Sequence, residues 1–236
     1  MTGGTLVLVA ARNEAATLER TLAALASAFP GDPVWVADDG SSDGTAAVAA
    51  GAGARVLSSG RRAGKGAAMT LAAREALAGA MTGALARADA GTQEAVVLLC
   101  DGDLGESARR LGPLVELVRG GEADLAIAGF KTKVGGGFGL ALAFARWAIR
   151  RRCGLEAGAA LSGQRAVRAG ALAGLLPFAA GYGMEVGMTI DAVRAGWHVA
   201  EIELELTHRA TGRTPAGFVH RARQLGDIAR AYRRRR

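Results

Sequence analysis

The segment Val96-Val97-Leu98-Leu99-Cys100-Asp101-Gly102-Asp103 ends an apolar run in two carboxylates separated by one glycine. An unbroken apolar run of this length reads as a strand buried on both faces. The C-terminal end of such a strand is where an open α/β sheet has its ligand crevice. Carboxylates there are hard oxygen donors for a divalent cation, and Gly102 lets another group approach the backbone. A cation in that place serves a phosphate, so the pattern points to an enzyme that handles a nucleoside diphosphate.

Three more polar segments follow strand-like runs. Ala10-Ala11-Arg12-Asn13-Glu14 follows the run 5–10, and Asp38-Asp39-Gly40-Ser41-Ser42-Asp43-Gly44-Thr45 follows 34–37. Gly60-Arg61-Arg62-Ala63-Gly64-Lys65-Gly66 follows 55–57. Each has an ordinary reading: Asn13 as a helix N-cap, Asp43 and Thr45 as turn and cap residues, the Gly64-Lys65-Gly66 stretch as a flexible loop. In a parallel sheet, however, all four segments project from one edge. That convergence makes them a candidate site.

The elements that must position these residues alternate. Strands are expected at 5–10, 34–37, 55–57, 95–100 and 125–129. Between them lie a helix with Leu18, Leu22 and Leu25 at helical spacing up to Pro30, and helices at 45–51, 66–80 and 111–118. This βαβα order predicts an α/β fold with a mostly parallel sheet and helices on both faces. In the second half, the loop 131–137 leads into a helix at 138–151. Short strands are expected at 159–161 and 165–168, then a helix at 183–194, a strand at 198–206 and a basic loop at 208–217. The last helix, 218–236, carries Phe218, Ala222, Leu225, Ile228, Ala229 and Tyr232 on one face and arginines on the other. No linker-like shift in composition divides the chain. The expectation is a single domain over 1–236, with a nucleotide-binding half up to about residue 105 and an acceptor-binding half from about 106.

The 236 residues carry a net charge of +7, a balance that favours anionic partners such as phosphorylated metabolites, nucleic acid or an anionic membrane surface. Aromatic residues are few and not interleaved with the basic ones, which excludes a stacking platform for single-stranded nucleic acid. Cys100 and Cys153 give no disulfide framework. No apolar stretch reaches membrane-spanning length, so a cytoplasmic protein is expected. Its basic C-terminal helix offers a surface for peripheral contact with the inner face of a membrane.

As a set, the four segments resemble those of the nucleotide-sugar glycosyltransferases of the GT-A fold, family 2 in particular. Residues 10–14 match a Pro-Ala-Arg-Asn-Glu-like segment, with alanine in place of proline. Residues 38–45 match Asp-Asp-Gly-Ser-x-Asp-Gly-Thr, 63–66 match an Arg-Gly-Lys-Gly-like loop, and 101–103 match an Asp-x-Asp motif. The second half is similar to glucosyl-3-phosphoglycerate synthases in the stretch 176–187 with Ile190-Asp191, in the glycine loop 135–137, and in the pair His208-Arg209. Phe138 and Gly139 stand where that family has an arginine and a threonine.

The resemblance implies a GT-A fold and a divalent cation, Mg²⁺ or Mn²⁺. Asp103 would bind it directly, Asp101 would contact the ribose or reach the metal through water, and His208 would be a third ligand. A histidine–carboxylate set suits Mn²⁺ somewhat better. Ala11, Arg12, Glu14 and Asp39 would form the nucleoside pocket, with Asp39 accepting a uracil N–H. Gly64, Lys65 and Gly102 would complete the donor site. Gly136, Gly137, Tyr182, Gly183 and Arg209 would lie on the acceptor side. Glu185 and Asp103 are the catalytic candidates. In inverting members an acid at the place of Glu185 is the general base, and in the retaining phosphoglycerate enzymes it contacts acceptor or sugar. The resemblance also implies a homodimer.

The resulting expectation is transfer of a hexosyl group from a UDP-glucose-like donor to a small anionic acceptor. Three other readings stand beside it: a polyprenyl-phosphate glycosyltransferase at the membrane surface, a sugar nucleotidyltransferase that releases pyrophosphate, and a nucleotide-sugar sensor.

Overall fold

The computed structural model describes residues 4–80, 95–131, 139–207 and 215–235, with side chains described for all of these except 79–80 and 215–222. The apolar runs form strands β1 (Thr5–Ala11), β2 (Val34–Asp38), β3 (Arg55–Ser58), β4 (Val96–Asp101), β5 (Leu125–Phe130), β6 (Arg165–Arg168) and β7 (Val199–Leu204). The helices are α1 (Ala15–Ala28), α2 (Thr45–Gly51), α3 (Lys65–Ala80), α4 (Gly112–Arg119), α5 (Gly139–Cys153), α6 (Ala169–Leu172), α7 (Gly183–Arg194) and α8 (Pro215–Arg234). A 3₁₀ turn over Gly105–Leu111 precedes α4.

The strands make one seven-stranded sheet in the order β3-β2-β1-β4-β6-β5-β7. All neighbours are parallel except β6, which runs antiparallel between β4 and β5. The period-2 geometry of a strand divides β1 and β4 between two cores. Val7, Val9, Val96, Leu98 and Cys100 face α1, the 3₁₀ turn and α4, where they meet Leu18, Leu22, Leu25, Leu104, Leu111 and Leu114. Leu6, Leu8, Val97 and Leu99 face α3 and α7, where they meet Met69, Ala72, Ala76, Met184 and Met188. A third cluster joins α5, α7 and α8 through Ala145, Ala148, Ile149, Val186, Ile190 and Ile228.

The alternating first half takes the α/β form expected of it. In the second half the expected strand at 159–161 does not form. The N–H groups of Gly158 and Ala159 instead donate to Glu201 Oε2, at 2.8 and 3.0 Å, and Ser162 N donates to Ala159 O at 2.9 Å. The stretch is a turn pinned by a carboxylate, so its amides have no ladder to join. The glycine loop 135–137, Phe138, His208 and Arg209 lie outside the described residues.

Where side chains are described, the apolar face of α8 is covered within the molecule. Ile228 and Ala231 are buried, Leu225 packs into the α5–α7 cluster, and the Tyr232 ring lies 5.0 Å from that of Trp147. Arg235, just past α8, pairs with Asp191 of α7, with Nε 2.7 Å from Oδ1. Among the described residues, no helix is long and apolar enough to cross a membrane.

Glycines mark where loops meet most closely. A Cβ on Gly66, in the first turn of α3, would lie 1.9 Å from the carbonyl oxygen of Ala179, ahead of α7. Gly66→Ala must therefore push α3 away from this loop. We expect it to lower stability by about 1–3 kcal/mol, the usual range for overpacking, read as a fall in the urea midpoint. An unchanged midpoint would contradict the close approach.

Candidate active site

Strands β1, β2 and β4 end level with one another. Ala11 is in register with Asp38, and Ala10 with Asp101. Their following loops are tied by side chains. Asn13 adopts a left-handed φ of 53°, and its Oδ1 accepts the Ser42 N–H at 2.9 Å. It therefore joins two loops, and the ordinary reading of it as a cap of α1 gives way. Helix starts are served by Asp43, whose Oδ1 accepts the Thr45 N–H at 3.0 Å and whose Oδ2 accepts that of Ala15 at 3.2 Å. The Thr45 hydroxyl also donates to Asp43 and holds its carboxyl below the usual range, against a weaker opposing effect of burial. Asp39 is buried, and its Oδ1 accepts the N–H groups of Ala63 and Gly64, both at 2.7 Å. This fixes the approach to Lys65.

Lys65 opens α3 and lies at the centre of the crevice. Its Nζ is 2.6 Å from Asp101 Oδ1 and 2.7 Å from Glu185 Oε1. Burial alone would pull this ammonium down, but the two carboxylates overcome that and raise it above the usual lysine value. Gln164, just before β6, holds Asp101 from the other side: its Oε1 accepts the Asp101 N–H at 3.0 Å and its Nε2 donates to Oδ2 at 2.9 Å. Gly163 makes room for this group, since a Cβ there would lie 2.5 Å from Lys65 Nζ and 2.6 Å from Asp101 Oδ2.

Glu185 sits in the first turn of α7, an acid at the favourable end of a helix dipole. It is 3% exposed, and its Oε2 is buried with no hydrogen-bond partner among the described residues. Arg12, after β1, likewise has a buried Nε with no partner. The N–H of Tyr182 donates to Asp227 Oδ2 at 3.3 Å, anchoring the α7 start to α8. Burial raises the Tyr182 hydroxyl, with Lys65, Glu185, Arg62 and Asp101 all within electrostatic reach. Gly181 has φ 55°, and a Cβ there would meet Asp227 Oδ2 at 2.0 Å. A β-carbon at Gly183 would meet the Asp227 carbonyl oxygen at 2.8 Å.

Residues 6–157 match the family model described as glycosyl transferase family 2. The chain belongs to glycosyl transferase family 2. Solved structures similar to this glycosyltransferase include glucosyl-3-phosphoglycerate synthase from Mycobacterium tuberculosis in complex with phosphoglyceric acid. That match has a TM-score of 0.77 and 25% identity, covering 99% of this chain and 80% of the other. The same enzyme in complex with Mn²⁺, UDP and glucosyl-3-phosphoglycerate matches with a TM-score of 0.75 and 26% identity, covering 99% and 80%. Its complex with Mn²⁺, UDP-glucose and glycerol 3-phosphate gives 0.74 and 25%, with the same coverage. No protein of curated function matches the glycosyltransferase.

Of the residues singled out in the sequence, Lys65, Asp101 and Glu185 are in direct contact. Ala11, Gly64 and Gly102 line up along the same edge: Gly102 N donates to Ala10 O at 2.9 Å, and Asp39 N to Ala11 O at 3.0 Å. Asp103 follows in the same loop, half-buried. Glu14 lies at the head of α1, its N–H on Thr45 Oγ1 at 2.9 Å. Sequence reasoning missed Gln164, Gly163 and Arg165. Their signal was a polar Ser-Gly-Gln-Arg stretch leading into a strand whose neighbours are apolar.

The contacts of Lys65 carry a measurable consequence. Lys65→Met leaves Glu185 a buried carboxylate without its cation. Breaking a fully buried pair costs about 3–5 kcal/mol, and Lys65 is a fifth exposed, so about 2 kcal/mol is expected. Glu185→Gln in the same chain should return part of it. Equal urea midpoints for Lys65→Met and the unaltered protein would mean that the ion pairs do not hold in solution.

Proposed function

We propose that this glycosyltransferase moves a hexosyl group from a UDP-sugar, UDP-glucose in the first instance, to the hydroxyl of a small phosphorylated or carboxylated acceptor. The observation that carries this reading is the meeting of Lys65, Asp101 and Glu185 where the parallel strands end, with one Glu185 oxygen buried and unsatisfied. An orphaned buried acceptor costs free energy until a donor reaches it, and a sugar or acceptor hydroxyl is such a donor. The orphaned Nε of Arg12 is its counterpart, a buried cationic donor suited to an anionic ligand. The Mn²⁺, UDP-glucose and phosphoglycerate bound to the similar mycobacterial synthase support the same donor and acceptor class.

The donor set also suits a divalent cation. Asp103 offers its carboxylate in the loop after β4, Asp101 at the end of that strand would reach the cation through water, and His208, outside the described residues, is the proposed third ligand. Among the described residues, no group of three potential ligands lies together. When bound, the cation would supply charge neutralisation at the departing diphosphate. The chain's own residues do the rest. Lys65 contributes a point charge for the phosphates or the base carbonyl. Asp39 keeps the Lys65 loop in place, Ala11, Arg12, Glu14, Gly64 and Gly102 border the nucleotide, and Tyr182 and Gly183 border the acceptor. In the reaction the bond from the anomeric carbon to the β-phosphate oxygen breaks, and UDP leaves with the electron pair. The acceptor oxygen forms the new bond to that carbon and gives up its proton. We assign Glu185 to orient that hydroxyl or to accept its proton on the carboxylate. Coverage by α5 and α7 of the described part of the α8 apolar face, Leu225, Ile228 and Tyr232, favours a small acceptor over a lipid-linked one.

UDP-glucose with Mn²⁺ should raise the melting temperature, and 3-phosphoglycerate should accelerate UDP release. Asp103→Ala should abolish the Mn²⁺-dependent donor shift while leaving the ligand-free melting temperature unchanged. Glu185→Gln should cut turnover by about tenfold or more, with donor affinity held. Absence of any shift across UDP- and GDP-sugars would refute the reading.

A further inference from the structure

Arg165, the first residue of β6, is fully buried. It stands in register with Leu99 of β4 and Ile127 of β5, both apolar core residues. Its Nε donates to Ser162 O at 2.8 Å and one terminal nitrogen donates to Thr189 Oγ1 at 3.0 Å, while the other has no partner. No carboxylate pairs with it directly among the described residues. For packing alone a methionine or leucine would serve, because a buried charge is costly and its replacement by a well-packed apolar group is often neutral or favourable. The charge persists nonetheless. Burial pushes the guanidinium down to about 10, against the opposing pull of Glu185, then Glu201 and Asp101, so it stays protonated at neutral pH.

The geometry relates this cation to Glu185. Thr189 receives the Arg165 hydrogen bond and donates its own to the Glu185 carbonyl oxygen at 3.0 Å, one turn back along α7. Among the described residues, Glu185 has one direct cationic partner, Lys65, which it shares with Asp101. A ligand that draws Lys65 towards a phosphate leaves Glu185 buried without it. We propose that Arg165 is a positioning residue that acts through Thr189 and the first turn of α7 to hold Glu185 in place while Lys65 is engaged by the donor. This rests on the role given to Glu185 above.

The test is a double-mutant cycle in the full chain, Arg165→Met and Glu185→Gln, read by urea midpoint and by UDP release from UDP-glucose with Mn²⁺ and 3-phosphoglycerate. The expected result is that Arg165→Met lowers the midpoint in the unaltered chain and scarcely at all beside Glu185→Gln. Turnover should fall at least tenfold with UDP-glucose affinity within twofold, and Arg165→Lys, which restores the charge, should recover a third or more of it. Additive midpoints, or equal loss in Arg165→Met and Arg165→Lys, overturn the proposal. Should Arg165→Met not fold, Thr189→Val decides: a threefold or larger fall in turnover supports the relay, and full turnover refutes it. Full turnover in Glu185→Gln would instead remove Glu185 from the reaction, a result distinct from an active Arg165→Met beside an inactive Glu185→Gln.

Discussion

The crevice depends on one ammonium shared by two carboxylates. Lys65 and Glu185 are 120 residues apart in the chain, and their contact joins the start of α3 to the start of α7. Asp101 completes the group from the end of β4. Neither acid could be buried at this density without the cation between them, because like charges in a weakly screened site repel strongly. The cation in turn could not be so poorly hydrated without both acids. Each group is therefore the condition for the others, and the folded chain is what brings the three together.

Around that cluster, the absence of side chains matters as much as their presence. Gly163 faces the ion pair where a β-carbon would overlap it, Gly66 meets the carbonyl of Ala179, and Gly181 and Gly183 meet Asp227. Three loops from distant parts of the chain thus pack backbone against functional group. The polar ties have the same purpose. Asn13, Asp39 and Asp43 each connect one strand-end loop to a neighbouring segment. Several of the motif residues consequently fix the position of others, and the ligand-facing set is smaller than the motif set.

Much of this was legible before the structure. Alternating apolar runs and helix periodicity revealed β1 to β5 and the helices between them, because local burial decides those elements. The edge on which Lys65 and Asp101 meet follows from parallel order. Glu185 was recognised by family likeness, since nothing local tells a helix-start acid from a catalytic one. The failures have physical causes. The 159–161 stretch has strand-like composition, but the amides of Gly158 and Ala159 at its entry are taken by Glu201 from another strand. Asn13 has the composition of a cap and the position of a loop tie. Gln164 and Arg165 act through contacts made only in the folded chain, and their sequence spacing is silent about them.

The antiparallel course of β6 explains why those two residues matter. A parallel strand delivers its last residues to the crevice, after its hydrophobic run is complete. β6 enters the sheet from the crevice side, so it delivers its first residues there, and Gln164 and Arg165 reach Asp101 and α7 from below. The family model ends at residue 157, ahead of β6, Glu185 and the whole of α7. What lies within it are the strands β1 to β5, with the four strand-end segments that hold Arg12, Asp39, Lys65 and Asp101. What lies beyond it is the reversed strand, the buried guanidinium and the acid one turn before the threonine it binds. If the function proposed above holds, what sets this chain's acceptor is to be sought beyond residue 157, where the reversed strand brings its own charge to the lysine and its two carboxylates.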